Sequence, residues 1–269
     1  ARAVAEFVRQ MLASVEPGKA GKDARVADML AAASAGIDKD LAGNPEAAAM
    51  LRTTIAQPYI SLGQFADAER LARESLQNAQ RDLGPSNKHV RIAMGTLAET
   101  LRHEGRLVDA EPVARESLRL EQSATDGSPA DRLADLNCLA NILRETGRWE
   151  EAAQSLAQAV SYAQEVLGEA DERALTVSLS YGAVLKDLGR YREAIDTLSR
   201  TLALGTQSLG NEHPVTLGAM EQLASVQVIS GEAANAVSLM QQLLEVGERI
   251  LPKNHPDTLT AMSNLADGF

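Results

Sequence analysis

The chain has 269 residues, 45% of them hydrophobic but only 3% aromatic, and carries a formal charge of −11. An acidic chain with few aromatics is poorly matched to phosphate backbones or stacked bases, so nucleic acid is not an expected partner. Its single cysteine, Cys138, excludes an internal disulfide and a multi-cysteine metal centre, and fits a reducing compartment. No run approaches the ~18 apolar residues that a membrane helix needs, and no signal peptide is evident.

From the N-terminus, Ala3 to Ser14 reads as a short amphipathic helix with Val4, Phe7, Val8 and Met11 on one side, ended by Pro17-Gly18. Gly18-Lys19-Ala20-Gly21-Lys22 has the residue types of a phosphate loop, but the spacing is wrong and no strand precedes it. The alanine-rich stretch Lys22 to Leu41 reads as a divergent capping unit. Residues 1–45 are therefore set apart from a repeat array over 46–269, with about five full units and a truncated sixth.

The array is marked by Gly63, Gly105, Gly147, Gly189 and Gly231, each 42 residues after the last. Five residues past each stands Ala68, Ala110, Ala152, Ala194 or Ala236, and seven before each stands Ala56, Ala98, Ala140, Gly182 or Ala224. Gly21 lies one period further upstream. A fixed period of this kind is the signature of stacked units. In the third unit Leu136, Leu139, Ala140 and Leu143 follow i, i+3, i+4, i+7 within a helix expected over Asp131 to Thr146. Gly147 is its stop. Ala152, Leu156, Ala159 and Val160 repeat the pattern in a second helix, from about Trp149 to Leu167.

Two antiparallel helices per unit follow, and the small residues fall where their backbones approach. Larger residues eight before each glycine (Ile55, Leu97, Leu139, Tyr181, Leu223) fill the space beside them. Units end in loop signals such as Leu83-Gly84-Pro85, Leu167-Gly168 and Leu209-Gly210…His213-Pro214, with Asp126-Gly127-Ser128-Pro129 serving the third. The fold class expected is an all-α, right-handed superhelical solenoid of antiparallel helix pairs. The chain opens on Ala1 and closes inside an unfinished repeat, which reads as a fragment of a longer protein.

Leu139-Ala140…Leu143…Gly147-Arg148…Ala152, with His255-Pro256-Asp257-Thr258-Leu259 and Asn264-Leu265-Ala266, resembles the tetratricopeptide repeat family in its 42-residue form, found in kinesin light chains and many bacterial proteins. The resemblance implies a non-catalytic protein-interaction scaffold. A second resemblance rests on Ala5 to Leu12, Val26 to Leu30, Ile37-Asp38, Asn44-Pro45-Glu46, Ile55 and Tyr59 to Gly63. Residues 1–65 are similar to the segment that joins a kinase domain and a membrane span to the repeats in planctomycete-type serine/threonine kinases. It implies a parent kinase for which this array is the sensing or docking region. The array would then be extracytoplasmic, and cytoplasmic if it stands alone. The chain itself lacks the phosphate loop, paired lysine and catalytic-loop aspartate of a kinase. Asp267-Gly268-Phe269 has the wrong order for the magnesium motif.

No catalytic, metal or cofactor site emerges. His213 and His255 sit 42 apart in equivalent loops as turn residues before proline, too far along the array to share a metal. Cys138 has no histidine at helical spacing to activate it. His89 and His103 are the other two histidines of the chain. The resemblance implies that the first helix of each unit lines a concave face. Positions ten, six and three before each glycine share one stripe of that helix, which in the third unit gives Asn137, Asn141 and Arg144. Asparagine donates and accepts, so it suits a peptide backbone. Glu99, Arg102 and Lys186 occupy the stripe in neighbouring units, although Gly95, Leu179 and Glu221 depart from asparagine ten before the glycine. Arg102, Arg144 and Lys186 form a basic row suited to an acidic peptide segment, or to pairing with acidic neighbours in the array. The lysine-and-asparagine clamp for chaperone C-termini is not matched. The expected partner is a protein or extended peptide.

Overall fold

The computed structural model describes residues 26–250. The 3–14 stretch, the Gly18–Lys22 segment, His255 with its linker to Leu259, Asn264 to Ala266 and Asp267 to Phe269 lie outside the described residues. Within them the chain is all-α, a succession of antiparallel helix pairs. A leading helix α1 (Val26–Asp40) precedes the pairs α2 (Pro45–Ser61) with α3 (Phe65–Leu83), and α4 (Lys88–His103) with α5 (Leu107–Ser123). Then come α6 (Pro129–Glu145) with α7 (Trp149–Val166), α8 (Glu172–Asp187) with α9 (Tyr191–Ser208), and α10 (Pro214–Ile229) with α11 (Ala233–Ile250). The third-unit helices thus fall within two residues of the bounds read from their periodicity.

The helices form two compact units, one ending at Ile142 and the other beginning at Leu143, a division that lies inside α6. In the first, α1 packs on α2, and α2 packs on both its partner α3 and the next first helix, α4. Ala33 and Ile37 of α1, and Leu41 just after it, join Leu51, Ile55, Tyr59 and Leu71 in one buried cluster. The second unit repeats the scheme, with α8 against α7, α9 and α10.

Starts and stops have local causes. Asn87, Asp171 and His213 each accept a hydrogen bond from the backbone N–H two residues on, satisfying one orphan donor of the helix that follows. His213, read from the sequence as a turn residue, is therefore the N-cap of α10. At the other end, Gly105 and Gly147 hold φ of 76° and 78°, left-handed values that residues with a β-carbon rarely adopt. The residue after each then donates back to a carbonyl five positions upstream, Arg106 to Leu101 at 2.9 Å and Arg148 to Leu143 at 2.8 Å.

The alanines five after each glycine (68, 110, 152, 194, 236) are all 0% exposed. Those seven before (56, 98, 140, 224) are buried as well. The glycine in that series, Gly182, shows how tight the crossing is. A β-carbon built on it would lie 2.6 Å from Leu198 Cδ2, and Leu198 is itself fully buried.

Overpacking these positions should therefore be costly. Ala152→Leu and Gly182→Ala are each expected to lower unfolding free energy by about 1–3 kcal/mol, measured by urea denaturation at unchanged m-value.

Candidate functional site

The stripe residues occupy equivalent places on the first helices, and all six are half-buried. In the first unit, Glu99 on α4 accepts a hydrogen bond from Gln57 on α2 at 3.1 Å, a rung between residues 42 apart. One turn on, Arg102 lies 2.7 Å from the His103 ring, which stacks on Phe65. Asn137 and Asn141 are one turn apart on α6, and Asn137 Oδ1 is buried without a hydrogen-bond partner.

In the second unit, Arg144 Nε donates to Asp187 Oδ2 at 2.6 Å. Lys186 Nζ donates to Gln222 Oε1 at 2.8 Å and Ser225 Oγ at 3.4 Å. Burial lowers the Lys186 pKa, and the nearby Arg144 charge works in the same direction against Asp187 and Glu221. The structure thus brings Arg144 and Lys186 together. It also supplies each with a partner from the neighbouring helix. The Arg144–Asp187 pair is about a third to a quarter exposed. Pairs at or near the surface contribute about 0.2–1 kcal/mol.

Sequence reading missed a second polar feature, buried among α4, α5 and α6 of the first unit. Arg91, 3% exposed, and Glu121, 4% exposed, pair through Nε and Oε2 at 2.6 Å. Arg91 also holds Asp126 Oδ1 at 2.9 Å and the Ser86 carbonyl at 2.9 Å. Glu121 Oε1 accepts the Ser128 N–H at 2.6 Å. Ser117 Oγ bonds to the Arg91 carbonyl at 3.1 Å and to Asp135 Oδ2 at 2.9 Å. Burial lifts the Asp135 carboxyl to about 7, with Glu121 and Asp131 pushing the same way against Ser117 and Arg91.

The signal for this cluster was in the register. Arg91 stands where other units have Ala49, Leu133, Leu175 and Leu217; Glu121 where they have Ala79, Ala163 and Gly205; Asp135 where they have Leu51, Ala93, Val177 and Ala219. Asp126 replaces the linker glycines Gly84, Gly168 and Gly210, which hold φ of 91°, 90° and 93°. Gly95 is explained here as well: a β-carbon on it would lie 2.8 Å from Asp135 Oδ1.

The remaining candidates are quieter. Cys138 is half-buried, and burial lowers the pKa of His89. A shallow cavity of about 460 Å³ between α1 and the α2–α3 turn is lined by Asp28, Ser34, Tyr59, Gln64, Asp67 and Arg70, among others. Among the described residues no cluster could hold a metal ion, and no helix is long and apolar enough to cross a membrane.

The tetratricopeptide repeat profile matches residues 46–123, 132–207 and 173–249. The chain belongs to the tetratricopeptide repeat family. Among solved structures it is similar to the tetratricopeptide-like repeats of a putative kinesin light chain from Podospora anserina. That likeness has 20% identity and a TM-score of 0.61, over 74% of this chain and 93% of that one. It is also similar to BtubC of P. vanneervenii, with 17% identity and a TM-score of 0.63 over 79% and 82%. A Pyrococcus horikoshii signal transduction ATPase with a tetratricopeptide repeat sensor gives 11% identity and a TM-score of 0.68. There 98% of this chain matches 38% of that one. No curated protein matches the sequence. Tetratricopeptide repeats generally mediate protein–protein interaction. Of the segment read as kinase-associated, the described part is α1, α2 and the turn after them, and the family match begins at residue 46.

The buried pair is expected to behave asymmetrically. Glu121→Ala alone removes the buried anion from Arg91, leaving only the more exposed Asp126 against it, and should cost about 3–5 kcal/mol. Combining it with Arg91→Leu, the residues other repeats carry, should restore most of that loss in chemical denaturation.

Proposed function

We propose that the chain is a non-catalytic docking module that binds an extended segment of a partner protein along the stripe of its first helices. The observation that carries this reading is Asn137 Oδ1, an acceptor buried in the stripe with no partner in the free chain. Buried polar atoms are seldom left unpaired, and a backbone N–H of a bound segment would satisfy this one. Asn141 follows one helical turn on, a spacing that suits an extended peptide backbone. In the first unit Glu99 and Arg102 would add polar contacts to that segment; in the second, Arg144 and Lys186 would do the same for a segment bound there.

An acidic side chain on the partner would contact Arg144 in competition with Asp187. It therefore exchanges one ion pair for another, so such charges tune specificity more than affinity. The net charge of −11 argues against nucleic acid as the occupant. In the Pyrococcus horikoshii protein, by its description, the repeats are a sensor. A docking role for the array here is of the same kind.

The test is titration of a partner recovered from the source organism. Asn137→Ala and Arg144→Ala should each weaken binding by about tenfold, the scale of one lost hydrogen bond to a desolvated group. Gln158→Ala, on the exposed side of a second helix, should leave it unchanged. For an acidic partner, affinity falls as salt rises, and Asp187→Asn raises it by releasing the guanidinium. Equal affinities for the Asn137, Arg144 and Gln158 variants would place the site elsewhere.

A further inference from the structure

The cluster around Arg91 sets one guanidinium against four carboxyl groups: Glu121 on α5, Asp126 in the linker, and Asp131 and Asp135 on α6. Arg91 is already committed to Glu121 and Asp126. Asp135 is hydrogen-bonded, among the described residues, to the neutral Ser117 hydroxyl. These same groups fasten the linker between α5 and α6, through Asp126 on Arg91 and the Ser128 N–H on Glu121. This linker also lacks the left-handed glycine present at Gly84, Gly168 and Gly210.

We propose that the cluster is a pH-sensitive latch: with Asp135 protonated it holds the α5–α6 linker closed, and ionisation of Asp135 releases the linker and the first turn of α6. The carboxyl gives its proton to water and becomes a second anion beside Glu121. It then repels the residue that holds Ser128, and competes with Asp126 for Arg91. Either response removes a bond to the linker. The charged groups facing Asp135 are Arg91 of α4, Glu121 of α5 and Asp131 of its own helix, and the Lys88 charge reaches Asp131. Of these charges only Arg91 favours ionised Asp135, with the neutral Ser117 hydroxyl working the same way. Arg91 is already shared between Glu121 and Asp126.

The sign follows from linkage. Asp135 sits at about 7 in the closed state against an ordinary 3.8, so closure is favoured in acid and weakens as pH rises towards neutrality. Amide hydrogen exchange of the full chain at Ser128, corrected for the intrinsic rate at each pH, reads the latch directly. Protection should fall about tenfold per pH unit between roughly pH 5 and 7, then level off, the slope of one linked proton. The Asp171 amide, which closes the equivalent turn onto the Gly168 carbonyl, should show no such slope. In Asp135→Asn the Ser128 slope should vanish. Should that variant fail to fold, the carbon NMR titration of the Asp135 carboxyl in the unmodified chain decides instead, with a midpoint near 7 expected. A flat Ser128 profile, the same slope at Asp171, a slope that survives Asp135→Asn, or a carboxyl midpoint below about 5 overturns the latch.

Discussion

Everything described depends on how closely the two helices of a pair approach. Ala152, Ala194 and their counterparts are fully buried, so a longer side chain there would have to displace close-packed neighbours. Gly182 marks the limit, since there even a methyl group would meet Leu198. With the crossing fixed, the remaining interior is filled by aliphatic side chains such as Leu71, Leu143, Leu156 and Leu198. This explains how a chain with 3% aromatics builds a core at all. Many short contacts between small groups replace the large area that a few rings would bury.

The same regularity generates the polar stripe. When first helices stack on one another, as α2 does on α4 and α8 on α10, a residue meets the neighbour one period away. Gln57 and Glu99 are such a pair. Arg144 and Asp187 are 43 apart, and Lys186 and Gln222 36 apart, so both pairs are offset from the full period. A row of like charges on paper thus becomes alternating donors and acceptors in three dimensions. In the second unit the two cations read from the sequence, Arg144 and Lys186, are held by Asp187 and Gln222.

The period made the fold legible. Glycine spacing, the two alanine series and the i, i+3, i+4, i+7 pattern fixed helix pairs, their bounds and their buried faces. Side-chain pairing was less legible, because it depends on which residue the neighbouring helix presents. Nothing local to Arg144 points to Asp187. The buried cluster was hidden for the opposite reason. Arg91, Glu121 and Asp135 read locally as ordinary charged positions on amphipathic helices. Their burial shows only when each is compared with the Ala, Leu, Val or Gly at the same place in the other units. His213 shows a smaller version of the same gap: its position before proline marks a turn, whereas the cap it makes requires knowing where its ring points.

Three of the linkers carry their turn within their own glycine, so each junction is complete in its local sequence. The junction at Asp126 is fastened instead by Arg91, 35 residues upstream, and by Glu121, 30 residues from that arginine. Arrays of this kind change length by gaining or losing whole periods. A period inserted between Arg91 and Glu121 would separate a buried cation from its anion. Gly84, Gly168 and Gly210 mark junctions that impose no such condition. The segment from Arg91 to Asp135 therefore works as one unit, and a repeat gained or lost within it would break the network that fastens its linker.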